Sequence, residues 1–145
     1  HYERSKQMKQ KVYLDMDGTI ADLYAQDNWL DRLIKKDITV FTTANPVITE
    51  EQLLSEYPLE QYDIRILSMT PKGADDTYHK RVAQAKDMWL DEHFPSLTKR
   101  IYMRYGHNKN VPHNHNAILI DDSDLVRHSW KGIAIMPTWG AQLSV

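Results

Sequence analysis

The chain has no cysteine, which excludes disulfides, thiolate nucleophiles and cysteine-based metal sites from the outset. Glycine and proline are sparse, at 5 and 6 residues, and neither collects into a linker or a low-complexity tract. No apolar run approaches the roughly 18 residues of a membrane-spanning helix. Neither sign of charge dominates. Lys and Arg number 18 against 20 Asp and Glu, for a formal net charge of −2, and the basic residues are dispersed. That balance provides no dedicated nucleic-acid groove. Residues 1–10 form a polar extension without the apolar stretch of a signal peptide, so the expected compartment is the cytoplasm.

What is present suits a folded domain. The 145 residues are 41% apolar and 26% charged, enough to bury a real core, and 11–145 read as a single domain. Apolar runs bounded by turn signals recur at 12–14, 38–41, 64–67, 101–103, 117–120 and 133–136. Helical patterns lie between several of them. The clearest covers 75–93, where Tyr78, Val82, Ala85 and Trp89 form one stripe and Pro95 marks the stop. Another covers 49–57, with Thr49 as N-cap and acidic residues in its first turn. A third follows Asp22, with Leu23, Leu30, Leu33 and Ile34 apolar. This alternation predicts an α/β fold with a mainly parallel sheet and helices on both faces, a three-layer sandwich. The 38–41 run follows the acidic loop so closely that a short extended connector or edge strand is expected there.

The most informative stretch runs from Val12 through Asp15, Asp17, Gly18, Thr19 and Ile20 to Asp22. Two carboxylates spaced i, i+2 at the end of an apolar strand point to one side, and open α/β sheets bind ligands at that edge. Carboxylates held this close repel, so the pair calls for a cation or a shared proton. Gly18 lets the chain turn sharply and lets a ligand approach the backbone. Two further acidic residues, Asp121 and Asp122, end the 117–120 run, and Asp124 follows. Their hard oxygens suit Mg²⁺.

The Asp15–Asp17–Gly18–Thr19–Ile20 run resembles the first motif of the haloacid dehalogenase (HAD) superfamily of phosphohydrolases, DxDGT followed by an apolar residue. The resemblance extends over roughly 12–137 and implies a Rossmann-like HAD sheet. Asp15 matches the nucleophile, which forms an aspartyl-phosphate, and Asp17 the general acid/base. The Asp15 side chain, the Asp17 carbonyl and Asp121 or Asp122 would hold Mg²⁺. Ser68, at the end of the 64–67 run, matches the second-motif hydroxyl, with the N–H groups of Met69 and Thr70 forming an anion nest near a helix start. Thr42 is its rival. Lys109 matches the phosphate-binding lysine, with Lys99 and Lys72 as weaker candidates.

Within the superfamily, the first motif, the Lys86–Asp87–Met88–Trp89–Leu90 helix end and the Leu119–Ile120–Asp121–Asp122 run look most like the 5'(3')-deoxyribonucleotidase branch and its small phage-encoded relatives. The departure is in the cap. Only a small segment, about 22–63, stands where that branch inserts a substantial helical cap, so a more open site with weak discrimination among bases is expected. The resemblance implies a Mg²⁺-dependent phosphomonoesterase acting on small phosphorylated substrates, (deoxy)nucleoside monophosphates first. Phosphorylated nucleic-acid ends or other macromolecules are the alternative substrates. A HAD-fold binding or regulatory protein is the alternative of another class, and the intact Asp15/Asp17 pair speaks against it. His107, His113 and His115 read as exposed loop histidines. Trp89, Trp130 and Trp139 read as core, and Trp29 as a possible pocket wall.

Overall fold

The structure, a computed structural model, describes residues 8–109 and 115–139. Five strands form one all-parallel sheet: β1 (Gln10–Leu14), β4 (Tyr62–Thr70), β5 (Arg100–Arg104), β6 (Ile118–Ile120) and β7 (Ile133–Ile135). Their order across the sheet is β5-β4-β1-β6-β7. Counted along the chain, the sheet strands therefore stand third, second, first, fourth, fifth, the doubly wound arrangement. Its direction of winding reverses between β1 and β6, and the crevice at the carboxyl ends of those two strands is where such sheets bind ligands.

Alternation along β1 assigns the two faces. Val12 and Leu14 join Ile64, Ile66 and Ile120 under helix α4 (Asp76–His93), which contributes Trp89 and Leu90, and under α3 (Glu50–Glu56), which contributes Leu53. Tyr13, Leu67 and Leu119 face the other way, onto Trp130 and Val126 at helix α5 (Asp124–Ser129). Helix thus covers both faces, as the strand–helix alternation predicts. The helix starts are chemically specified. Asp75 caps α4 by accepting from the Tyr78 N–H, and Thr49 forms a reciprocal capping box with Gln52 on α3. No helix among the described residues is long and apolar enough to cross a membrane.

The segment 22–63 divides in two. Strands β2 (Ala21–Asp22) and β3 (Asn45–Pro46) pair antiparallel and close a neck. Above it stand a 3-10 turn at Leu23–Ala25, helix α1 (Trp29–Ile34) and helix α2 (Thr39–Thr42). This is the cap. The rest of the segment, α3 included, belongs to the sheet layer. The cap is glued down: Leu23, Val40 and Phe41 cluster with Tyr78, Val82 and Ala85 of α4.

The 38–41 run is helical rather than extended. Asp37 Oδ1 accepts from both the Thr39 N–H at 3.0 Å and the Thr39 hydroxyl at 2.6 Å, which starts a helical turn. That turn brings Val40 and Phe41 together onto α4, and the burial outweighs the β preference of the residues. On α1 the apolar residues split, with Trp29 and Leu33 packed inward and Leu30 and Ile34 largely exposed.

Candidate active site

Residues 15–20 leave β1 in a tight loop. The Met16 carbonyl accepts from the N–H groups of Thr19, Ile20 and Ala21 at 2.9, 2.9 and 3.0 Å. No backbone N–H among the described residues closes on the Asp17 carbonyl. Gly18 has φ +84°, a left-handed conformation, and a Cβ there would stand 2.3 Å from Asp122 Oδ2. The glycine is required twice, by the turn and by the close approach of a carboxylate from β6. One bond pins the loop from outside and one ties it within. Trp139 Nε1 donates to the Thr19 carbonyl at 2.8 Å, and the Thr19 hydroxyl donates to Asp15 Oδ2 at 3.0 Å.

The first half of the site lies at the winding reversal. Asp15 follows β1, with its N–H on the Ile120 carbonyl, and Asp121 follows β6, with its N–H on the Ile135 carbonyl. Neighbouring strands thus deliver carboxylates from distant parts of the chain, and oxygens of Asp15, Asp121 and Asp122 lie within 4.8 Å of one another. Lys109 enters among them. Its ammonium donates to Asp15 Oδ1 at 3.0 Å, Asp121 Oδ2 at 2.8 Å and the Leu67 carbonyl at 3.0 Å, using all three protons. Burial works to lower its pKa, but Asp15 and Asp121 outweigh it and hold the group above the ordinary lysine value. Burial, with Asp15 beside it, raises Asp121. Burial, then Asp15 and Asp121, pushes Asp122 up to about 7.

Three carboxylates against one ammonium leave an excess of negative charge in a partly dry crevice. The hard carboxylate oxygens, gathered within 4.8 Å of one another, are a donor set that fits the Mg²⁺ the resemblance implies. Asp15, Asp121 and Asp122 would supply the side-chain oxygens. Asp124 points elsewhere and pairs with Arg127.

The second half lies across the cleft. Asp17 and Ser68 share a buried lysine that sequence reasoning missed. Lys86 of α4 donates to Asp17 Oδ2 at 2.9 Å, Ser68 Oγ at 2.6 Å and the Met69 carbonyl at 2.8 Å. Its signal was present: position 86 lies four past Val82 and three before Trp89, inside the apolar stripe of the helix. A lysine there is buried, so it needs partners.

Ser68 is inside β4, paired with Tyr102, and not at a strand end. Met69 and Thr70 continue the strand beside β5, and α4 begins only at Asp76, so no anion nest forms at a helix start. Thr42, the rival of Ser68, ends the cap helix and donates to the Thr39 carbonyl. Lys99 pairs with Asp63, away from the site, and Lys72 reaches only the mouth of the cleft. His107 and His115 are exposed, and His113 lies outside the described residues.

Between the two halves opens a cavity of about 560 Å³, within the range of small-molecule sites. Asp15, Asp17, Ser68 and Lys109 line its floor, and Leu23, Tyr24, Trp29, Leu30, Leu33 and Phe41 of the cap form an apolar wall. The rings of Tyr24 and Trp29 meet edge to face at 4.8 Å between centroids. Burial of the inner edge of Tyr24, with Asp17 and Asp15 nearby, raises its phenol, which stays a neutral donor.

No protein-family model and no curated protein matches this chain. The functional reading therefore rests on the site itself.

Proposed function

We propose that the protein is a Mg²⁺-dependent phosphomonoesterase of the HAD type, acting on small phosphorylated substrates and on nucleoside monophosphates first. The observation that carries the reading is the meeting of Asp15, Asp121, Asp122 and Lys109 at the winding reversal, with Asp17 and Ser68 on the facing wall. An acidic cluster alone would suit binding. A second carboxylate poised across the cleft suits turnover.

Asp15 attacks phosphorus through a carboxylate oxygen. The bond to the ester oxygen breaks as the aspartyl-phosphate forms, and Asp17, which enters this step as the carboxylic acid with Oδ2 held by Lys86, gives that oxygen a proton. Water then attacks the phosphoryl group, Asp17 takes its proton, and inorganic phosphate leaves as the Asp15 carboxylate is restored. Lys109 holds Asp15 in line and sets positive charge beside the transferring group, while the Ser68 hydroxyl donates to a phosphoryl oxygen. Bound Mg²⁺ would supply neutralisation of phosphoryl charge. The cap wall excludes water from one side and offers Trp29 and Tyr24 to an apolar or aromatic group.

The test is phosphate release from an aryl phosphate with and without Mg²⁺, followed by a panel of deoxynucleoside monophosphates and 3'- or 5'-phosphorylated oligonucleotides. Metal-dependent turnover, higher on the mononucleotides, is expected. Activity on sugar phosphates or phosphoproteins and none on nucleotides would remove the nucleotide assignment and leave the phosphatase. No divalent-cation binding by calorimetry would remove the metal site.

A further inference from the structure

Ser68 and Thr70 stand two apart on β4, so their side chains leave the same face of the sheet, the one that α4 covers. Each is backed by a basic residue of α4, Lys86 behind Ser68 and His79 behind Thr70. The two bases stand seven positions apart, two turns of the helix, and so share one helical face.

They leave the two hydroxyls in opposite states. An ammonium group can only donate, so Ser68 Oγ, at 2.6 Å from Lys86 Nζ, accepts and keeps its own proton for a ligand. Thr70 Oγ1 lies 2.7 Å from His79 Nδ1, and its other protein acceptor, the Met103 carbonyl, is at 3.4 Å. An imidazole that carries its one proton on Nε2 accepts from the hydroxyl at the shorter distance and leaves Thr70 with lone pairs to offer. Burial, reinforced by Arg104, lowers the His79 pKa against the opposing pull of Asp76, while Lys80 also lowers it, so the ring is neutral near pH 7. Thr70 is only 1% exposed yet lines the cavity, so bulk water does not satisfy it. It stands ~6.6 Å beyond Ser68 along the strand, toward the mouth.

We propose that Thr70 is a specificity-determining residue that accepts a hydrogen bond from the alcohol part of the substrate, and that His79 is the positioning residue whose unprotonated Nδ1 accepts from the Thr70 hydroxyl. The inference rests on the phosphatase reading and narrows it. Preferred substrates are phosphomonoesters bearing an O–H or N–H donor one strand repeat from the phosphoryl group, with an apolar surface toward the cap. A plain aryl phosphate has no such donor.

The experiment compares kcat/KM on thymidine monophosphate and on phenyl phosphate, and reads the ratio of the two. In Thr70→Val the ratio falls about fivefold, the size of one neutral hydrogen bond, and in Thr70→Ser it stays near wild type. His79→Leu lowers the same ratio, and His79→Asn, whose amide oxygen can stand near the place of Nδ1, restores part of it. Independently of turnover, ¹⁵N shifts of His79 at neutral pH should report an unprotonated Nδ1. Equal losses on both esters, or a protonated Nδ1, overturn the inference and leave the phosphatase standing. A wild-type protein inactive on both esters removes the phosphatase reading itself.

Discussion

The two halves of the cleft each bury a lysine against an aspartate of the same loop, and the contrast between them separates two jobs. Lys109 sits among three carboxylates and is outnumbered. Lys86 faces the Asp17 carboxylate, a hydroxyl and a carbonyl, and its charge is matched one to one. The Lys109 half carries an excess of acidic groups, which a bound cation would balance. The Lys86 half is complete without one and is built to hold two polar side chains in fixed orientation. A buried ion pair stabilises little in net terms against an apolar replacement, but removing one partner alone is strongly destabilising.

The largest expected effect separates Asp15 from Asp17. Asp15→Asn should abolish turnover, because an amide is no nucleophile, while the far-ultraviolet circular dichroism stays native. Asp17→Asn should slow the reaction about 10²–10⁴-fold, the usual worth of general acid–base assistance, and keep cation binding. Single-turnover kinetics of both variants check this. An Asp17→Asn protein as fast as wild type across the pH range would leave the second half without its chemical role.

Next come the lysines themselves. Lys109→Met and Lys86→Met should each lower unfolding stability by about 3–5 kcal/mol, because a buried carboxylate loses its partner. Urea titration with and without Mg²⁺ sharpens the comparison. The cation should recover much of the loss in Lys109→Met and little of it in Lys86→Met, whose orphaned Asp17 points to the other wall. Equal recovery in both would merge the two halves into one electrostatic unit.

The residues of the two halves were readable in the sequence to different degrees. Asp15, Asp121 and Asp122 were legible because each ends an apolar run, a pattern that survives without tertiary knowledge. Lys109 was legible only through its place in the series, since nothing local marks a loop lysine as buried. Lys86 entered only as part of a helix-end resemblance, although its position in the apolar stripe marks it as buried. Trp139 was legible as core, but its bond to the Thr19 carbonyl was not, because the two lie 120 positions apart. The parallel sheet followed from alternating runs. The α2 turn did not, since four residues rich in β-formers cannot announce that a capping aspartate and an apolar helix face will wind them. Apart from Trp29, the apolar wall over the cleft was not legible for a similar reason: its residues come together only when folded.

The smallest predicted effect concerns Asp122. Its folded carboxyl titrates at about 7 against an ordinary value of 3.8, so between those values the folded state holds a proton that the unfolded state has released. Stability of the metal-free protein therefore falls as pH rises through that window. Asp122→Asn removes the penalty. With EDTA present, the variant should be more stable than wild type by on the order of 1 kcal/mol at about pH 8, after allowance for solvent screening, and no more stable at about pH 4.5. Urea midpoints at the two pH values check it. A variant less stable than wild type at the higher pH would mean that Asp122 supports the loop more than it strains the cluster.

The position of β1 between β4 and β6 has a consequence in time. Val12 faces Ile64 on one side and Ile118 on the other, so the central strand waits for partners made much later in synthesis. Closing such long loops is slow, and until β6 docks, Asp15 lacks the two carboxylates it needs for a cation. The nascent chain can wind α4 and seat Lys86 well before that moment. On the proposed reading, the cation site would be completed only by a late strand pairing, and a partly folded chain would lack it.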